Sequence, residues 1–455
     1  MSKDSLFQYI DNNSERFNDF SDLMFDNPET CYKEFKTFAY QKEFMEKEGF
    51  SITTPVAGIE TAFVAEYGEG KPVVAIVSSI DGLPNLSQVP DIFEEKSIVE
   101  GGNGHGCGHH LLGVGCMETA CALKEAIASG ELKGTVRYYA CPAEEGGGGK
   151  VFMAQAGAFD GIDAIFTWHP MPSNSHAGGS LSCVTVRYNF EGIAAHAAAE
   201  PWGGRSALDA VELMNTGVQY LREHILPTSR IHYAVTNSGG DAPNIVQAHA
   251  EVLYSIRTID DDSLADVFAR VNKIAQGAAL MTETTLVEPK IISAYSEKLV
   301  NKVLDDLIVK QFDEVPVPEY TEEELAYLEK YKNLGGKPNS KEVIDRGLFN
   351  MSDLPPLAST DMSDVSWMAP TCNIGIACYA IGTKGHSWPQ TAQGKSSVAH
   401  KGMHRAAKLM AGGAYEIFTN PELVKAAHED QERLVAGRTY KSLMPLVDNP
   451  AEFYG

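Results

Sequence analysis

The hydrophobic pattern changes character near Ser180, and that change limits the fold more than any other feature of the chain. Before it, apolar residues come in short, nearly unbroken runs. The stretch from Val73 to Ile80 reads Val-Val-Ala-Ile-Val-Ser-Ser-Ile and stops at Asp81-Gly82-Leu83-Pro84. Such a run suits a strand buried on both faces, as in a parallel sheet. Thr135 to Ala140 and Ala164 to Thr167 predict two more strands, and Leu111 to Ala128, stopped by Gly130, predicts a helix. Polar residues follow directly after these strands, which places a site at their C-terminal ends.

After Ser180 the period becomes two. Val184, Val186, Tyr188 and Phe190 alternate strictly, the mark of a half-buried antiparallel strand. Ser206 to Ile225 predicts a helix with Ala207, Ala210, Val211, Met214, Val218 and Leu221 on one stripe. Strands follow around Ile231 to Val235 and Ala248 to Ile256. A second helix, capped by Asp261 or Asp262, turns Leu264, Val267, Phe268, Val271 and Ile274 inward, and a last strand is expected near Thr284 to Val287. The order β-α-β-β-α-β is that of a ferredoxin-like domain. We therefore expect an α/β catalytic domain with a mostly parallel sheet, residues 1–181 and 296–455, interrupted by a ferredoxin-like lid at residues 182–295. The charged stretch from Pro316 to Lys341, with a capping box at Thr321 and Glu324, reads as a surface helix.

A chain of 455 residues is too long for one ordinary core, which agrees with two domains. Its formal net charge of −24 excludes nucleic acid and anionic membrane as natural partners. An anionic substrate would need local arginine. No apolar run approaches the ~20 residues that span a bilayer. Met1 to Phe20 reads as an acidic amphipathic helix, not a secretory signal. Eight cysteines without a CxxC pair point to a reducing cytoplasm.

The chemistry is concentrated in four short segments: Gly104-His105-Gly106-Cys107-Gly108-His109-His110, Pro142-Ala143-Glu144-Glu145-Gly146, Trp168-His169-Pro170 and Gly385-His386-Ser387-Trp388. A thiolate, imidazoles and a carboxylate together suit a borderline divalent ion such as zinc or manganese. A second glutamate beside a ligand glutamate suits metal-assisted hydrolysis, because one binds while the other moves protons. Cys107 and His109, two apart in extended backbone, point to one side. His105 and His110 compete for the ligand role, and spacing does not choose among the histidines. Each segment has a duller reading: a chance Gly-rich loop, a solvated acidic pair, or core histidines at His169 and His386. Gly149-Lys150 is no phosphate loop, since Val151 stands where Ser or Thr belongs. A thiol hydrolase built on Cys107 would leave the glutamate pair without a task.

With those segments in order, the chain resembles the dinuclear-metal amidohydrolases that include aminoacylases, glutamate-releasing carboxypeptidases and indole-acetyl-amino-acid hydrolases, most closely those of the aminobenzoyl-glutamate hydrolase type. Ala195-His196-Ala197, Gly204-Arg205-Ser206-Ala207, Asn244-Ile245-Val246, Ser359-Thr360-Asp361 and Asp364-Val365-Ser366-Trp367 extend the likeness across nearly the whole chain. The resemblance implies a metallopeptidase-like catalytic domain that holds two divalent ions, zinc or manganese. It implies Cys107, His109, Glu145, His169 and His386 as ligands, Glu144 as general base for a metal-activated water, and Asp81 as a residue orienting ligands. It further implies that His196 reaches from the lid into a partner protomer to stabilise the oxyanion, and that Asn244 and Arg257 hold the substrate carboxylate. The expected substrate is a small N-acyl or N-aroyl amino acid, with p-aminobenzoyl-glutamate as one candidate. The expected assembly is a homodimer through the lid. The alternative is a metal-binding, inactive partner subunit of a related hydrolase. Two positions depart from the family pattern: Ser79 replaces an acidic residue, and His110 replaces Asp or Asn.

Overall fold

The computed structural model describes residues 3–356 and 358–454. Met1, Ser2 and Gly455, at the ends of segments read from the sequence, lie outside the described residues. The strands in chain order are β1 (Ser51–Thr53), β2 (Phe63–Gly68), β3 (Val73–Val77), β4 (Thr135–Ala140), β5 (Ala164–Met171), β6 (Ser175–His176), β7 (Ser182–Glu191), β8 (Arg230–Asn237), β9 (His249–Thr258), β10 (Thr285–Leu286), β11 (Lys290–Tyr295), β12 (Phe349–Asn350) and β13 (Thr371–Ala377).

Eight of them form one sheet in the order β1-β2-β4-β3-β5-β13-β6-β12. Its centre, β4-β3-β5-β13, is parallel throughout, and antiparallel pairing begins only outside it, at β2 and β6. Every residue of β3 is buried, as its unbroken apolar run requires. Val74 and Ile76 join a core shared with helices Asp4–Phe25, His109–Ala128 and Ser397–Thr419. Val73, Ala75 and Val77 face the opposite core, built with Gly149–Gln155 and Met362–Met368. Each of the valine and isoleucine side chains contributes about 1.5–3 kcal/mol by leaving water. The apolar run extends past the strand because Ser78 and Ile80 still donate their N–H groups to Tyr139 and Cys141. That carries extended backbone up to Asp81.

The remaining strands form a second sheet, ordered β10-β7-β9-β8, with β11 also on β7 and every pairing antiparallel. Helices Ala207–Leu221 and Asp261–Thr282 pack on it, so chain order from residue 182 to 295 is β-α-β-β-α-β with the final strand broken in two. The break corrects the expectation of one strand near Thr284 to Val287: the ladder resumes at Lys290 with a register shift between Ile291 and Ser293. The helix cap also shifts. Asp260, not Asp261 or Asp262, accepts the N–H of Ser263, and the two following aspartates lie in the first turn, where the helix dipole favours them. The capping box at Thr321 and Glu324 starts helix Glu322–Leu334. Among the described residues no helix is long and apolar enough to cross a membrane.

Candidate metal centre

The parallel strands all end on the same edge of the sheet, and the four chemical segments follow from that. β3 runs out into Asp81, β4 into Glu144 and Glu145, β5 contains His169 near its end, and the chain beyond β13 carries His386. Cys107 lies just before helix His109–Ala128, whose first residue is His109. Gly108 between them sits at φ 81°, and a Cβ there would lie 2.3 Å from Tyr379 Oη and 2.6 Å from Pro170 Cγ. Only glycine fits that turn.

Two further backbone positions are unusual. Ala143, before the glutamate pair, stands at φ 59°, and His386 at φ 54°. Histidine is one of the residues that visits this left-handed region, and such positions cluster at functional sites. His386 is pinned by its N–H to Gly106 O at 3.1 Å, which draws it to the cysteine segment.

Among the described residues, three overlapping groups could hold a metal ion: Cys107 with His109 and His169, Cys107 with Glu145 and His386, and His109 with Glu144 and Glu145. Within each group the candidate ligand atoms lie within 4.8 Å of one another. His109 Nδ1 lies 3.0 Å from both the carbonyl oxygen and Oδ1 of Asp81. Both are acceptors, so Nδ1 carries a proton and Nε2 is the ring atom turned toward the glutamates. That Nε2 is buried without a hydrogen bond, as is Glu145 Oε1, and the two atoms face each other at 3.9 Å. A buried ring nitrogen without a partner, beside carboxylate and thiol donors, fits a place that holds a cation. Asp81 Oδ2 accepts the N–H of Glu145 at 2.9 Å, so one carboxylate steadies both.

The remaining contacts follow the same pattern. His169 Nδ1 faces Pro170 O at 3.0 Å and turns Nε2 to Cys107 Sγ, 3.3 Å away. His386 Nε2 lies 3.3 Å from Glu145 Oε1. Burial alone would raise the Cys107 thiol, but the imidazoles of His169 and His109 outweigh it and bring it down to about 6. Burial opposes a charge on His109, yet the Cys107 and Asp81 charges hold its pKa well above the usual range. The place favours positive charge. The two glutamates part company: burial and the Asp361 charge push Glu144 up to about 7, while Glu145, against its burial, is drawn down to about 2 by His386 and His109. Neighbouring carboxyls pushed apart in this way suit different tasks, ligand and base.

His105 and His110, left open by spacing, fall outside the three groups. His105 Nε2 faces Met24 O and His110 Nε2 faces Gly394 O, and the two rings pack with Phe25. Burial lowers both, His105 to about 4, so they are neutral core residues. His196 and Asn244 lie on two loops of the second sheet joined by a bridge between His196 and Ile245. Arg257, on β9, donates to Ser359 Oγ at 2.8 Å.

Sequence reasoning missed the supports. Glu34 Oε1 accepts the N–H of Ala143 at 3.0 Å, and Tyr32 Oη donates to Gly147 O at 2.9 Å, so one N-terminal loop grips the glutamate turn at both ends. The fully buried Lys150 pairs with Asp361 at 2.9 Å and donates at 2.8 Å to the Oγ of Ser79, the residue at one departing position. A lysine directly after four glycines was the only signal of it in the sequence.

Strand ends that gather a thiol, imidazoles and paired glutamates suit a hydrolase that works with metal. Comparison with known proteins gives the particular kind: the profile of peptidase family M20/M25/M40 matches residues 75–445, and the chain belongs to that family. It is 39% identical to the B component of the p-aminobenzoyl-glutamate hydrolase of Escherichia coli (strain K12), over 97% of this chain and 98% of the relative. Identity to the Xaa-Arg dipeptidase of Mus musculus is 29%, over 92% and 90%. The fold is similar to that of the aminobenzoyl-glutamate utilization protein from Klebsiella pneumoniae, with TM-score 0.62 and 18% identity over 91% of this chain and 98% of that one. It is similar also to the Bacillus subtilis YXEP protein, a dinuclear metal-binding peptidase, with TM-score 0.61 and 19% identity over 90% and 99%.

Proposed function

We propose that the chain is a metal-dependent amidohydrolase that cleaves the amide bond of an N-acyl or N-aroyl amino acid, with p-aminobenzoyl-glutamate as the leading candidate. One observation carries the reading: the buried His109 Nε2, without a hydrogen-bond partner, lies 3.9 Å from Glu145 Oε1, in a cluster with Cys107 and His386. Two divalent ions, zinc or manganese, fit the five ligands Cys107, His109, Glu145, His169 and His386. When bound they would polarise the amide carbonyl and acidify the attacking water.

The chain's own residues do the rest. Glu144, raised to about 7, takes the proton of the attacking water and returns it to the leaving amine. Asp81 keeps the His109 tautomer fixed. His196 Nδ1 accepts the N–H groups of Ala198 and Ala199 at 3.2 Å, so its Nε2 carries a proton suited to donation to an oxyanion in a partner's site. Asn244 and Arg257 hold the substrate carboxylate and give the local positive charge that an acidic chain lacks elsewhere.

In this reading residues 182–295 are a ferredoxin-like lid and dimerisation domain. Support comes from β8, an edge strand with seven of its eight residues exposed. Tyr233 and Val235 on it line an open groove of about 710 Å³ against helix Ala207–Leu221. A long bare edge is ordinarily protected, and a second copy paired across a twofold axis would extend the antiparallel sheet. All eight cysteines are free, which suits the cytoplasm.

The E. coli relative is named as one component of a hydrolase with more than one kind of chain, and that favours a second reading: an inactive, metal-binding chain that supports a related catalytic one. Purified protein, loaded with zinc or manganese and counted for metal by mass spectrometry, is assayed against a panel of acyl-amino acids. Turnover lost by orders of magnitude in Glu144→Gln at unchanged metal count is the expected result, and full activity in that variant sinks the base assignment. Failure to cleave any panel member favours the supporting-chain reading. Activity that survives chelation would point instead to Cys107 as a nucleophile.

A further inference from the structure

The loop from Ser359 to Asp361 has each of its three side chains engaged by a different part of the molecule. Ser359 Oγ accepts from Arg257 of the second sheet. Thr360 Oγ1 donates to Glu144 Oε1 at 2.7 Å. Asp361, fully buried, takes Lys150 with both oxygens: Oδ1 from Nζ at 2.9 Å and Oδ2 from the backbone N–H at 3.0 Å. A buried ion pair is costly to desolvate and is poor evidence for added stability, so its presence calls for a geometric purpose.

The purpose is visible in what Thr360 does. Its Oγ1 accepts the N–H of Met362 at 3.3 Å, which leaves the hydroxyl proton for Glu144. Its carbonyl accepts the N–H of Ser363, so the backbone is fixed as well. With Oε1 held by this donor, Glu144 presents Oε2 to the ligand side, 4.0 Å from His109 Nε2.

We propose that Thr360 is a positioning residue for Glu144, held at its post by the buried Asp361–Lys150 pair, so that one carboxylate oxygen is tethered and the other faces the reacting water. The proposal rests on Glu144 as general base. It adds a division of labour between the two oxygens of that base, set by a loop that Arg257 also grips. A base held in one orientation acts at each encounter, whereas a free carboxylate spends part of its time turned away.

The test compares Thr360→Val, which keeps the shape and removes the hydroxyl, with Thr360→Ala and Thr360→Ser in metal-loaded protein. Metal per chain, thermal midpoint, kcat and KM are measured for each on the panel member the parent chain cleaves best. The valine and alanine variants are expected to lose about 10- to 100-fold in kcat, with KM and metal count unchanged. Serine is expected to restore kcat to within about threefold of the parent. A crystal structure of Thr360→Val should find the Glu144 carboxylate rotated or split between conformers. Combined with Glu144→Gln, Thr360→Val should add no further loss.

A valine variant with parental kcat, or an undisturbed Glu144 in its crystal structure, overturns the proposal while leaving the base assignment in place. So does a serine variant as impaired as valine, because packing and not the hydroxyl would then matter. A fully active Glu144→Gln protein overturns the base assignment and this proposal together.

Discussion

Glu34 reaches the N–H of Ala143 at 3.0 Å, and Ala143 holds a left-handed φ of 59° directly before the paired glutamates. The same Oε1 accepts the N–H of Tyr32, and Oε2 accepts from Thr61. Burial and the nearby Asp81 charge push Glu34 up to about 8, so it tends to be neutral. Glu34→Gln should therefore be mild. Glu34→Ala leaves two buried N–H groups without an acceptor, at roughly 1–3 kcal/mol each, and should cost about 2–6 kcal/mol in urea unfolding. It should also weaken metal retention, because the turn that aims Glu145 relaxes. Equal stability of the alanine and glutamine variants would refute this.

Cys107 is drawn down to about 6, so near pH 7 it is mostly thiolate. A serine hydroxyl does not ionise there, and oxygen is a harder donor than sulfur. Cys107→Ser should weaken zinc by at least about tenfold and manganese by less. Competition with a graded chelator measures both. A larger loss for manganese than for zinc would contradict the thiolate's role.

The junction between the two sheets should be sensitive to pH. Asp261 accepts from Ser182 at 2.6 Å, and its own N–H donates to Glu297, which also pairs with Arg438. Burial, with the Glu297 carboxylate adding to it, pushes Asp261 up to about 7 despite the Ser182 hydrogen bond. The folded chain thus binds this proton more tightly than the unfolded one. Its contribution is whole below about pH 4 and is lost as pH rises through about 7. Asp261→Asn, permanently uncharged, should flatten the fall in thermal midpoint between pH 5 and pH 8. Parallel curves for parent and variant would discard this account.

Gly108 allows no side chain. Gly108→Ala adds a Cβ 2.3 Å from Tyr379 Oη at φ 81°, so a stability loss of at least about 2 kcal/mol is expected. Metal binding should fall with it, since Cys107 and His109 flank the turn. Calorimetry and metal counting on the same sample decide the matter; a parental midpoint would mean the turn can rearrange.

What the sequence disclosed was whatever local pattern controls. The buried run of β3 and the alternation of β7 are properties of neighbouring residues, and both elements are found where they were expected. Cys107, Glu145, His169 and His386 announced themselves by residue type beside glycine or at strand ends. β13 went unread because Thr371-Cys372-Asn373 masks its period and its partner β5 lies some two hundred residues upstream. The helix cap moved by one residue because three consecutive aspartates offer the same chemistry. Glu34 and Lys150 were invisible because an acidic or basic residue gives no sign of burial until its partner is known. The choice among His105, His109 and His110 needed coordinates, since it depends on which ring faces Asp81.

Because β13 enters the sheet between β5 and β6, and His386 follows it, the proposed cation site closes only after the chain has passed through the whole second sheet and returned. On the ribosome, the first ligands to emerge would wait through the whole second sheet before the final imidazole arrives. Pairing across such a sequence distance is slow. If metal is taken up at that last step, supplying zinc or manganese during refolding should speed the final docking of β13 rather than the collapse that precedes it.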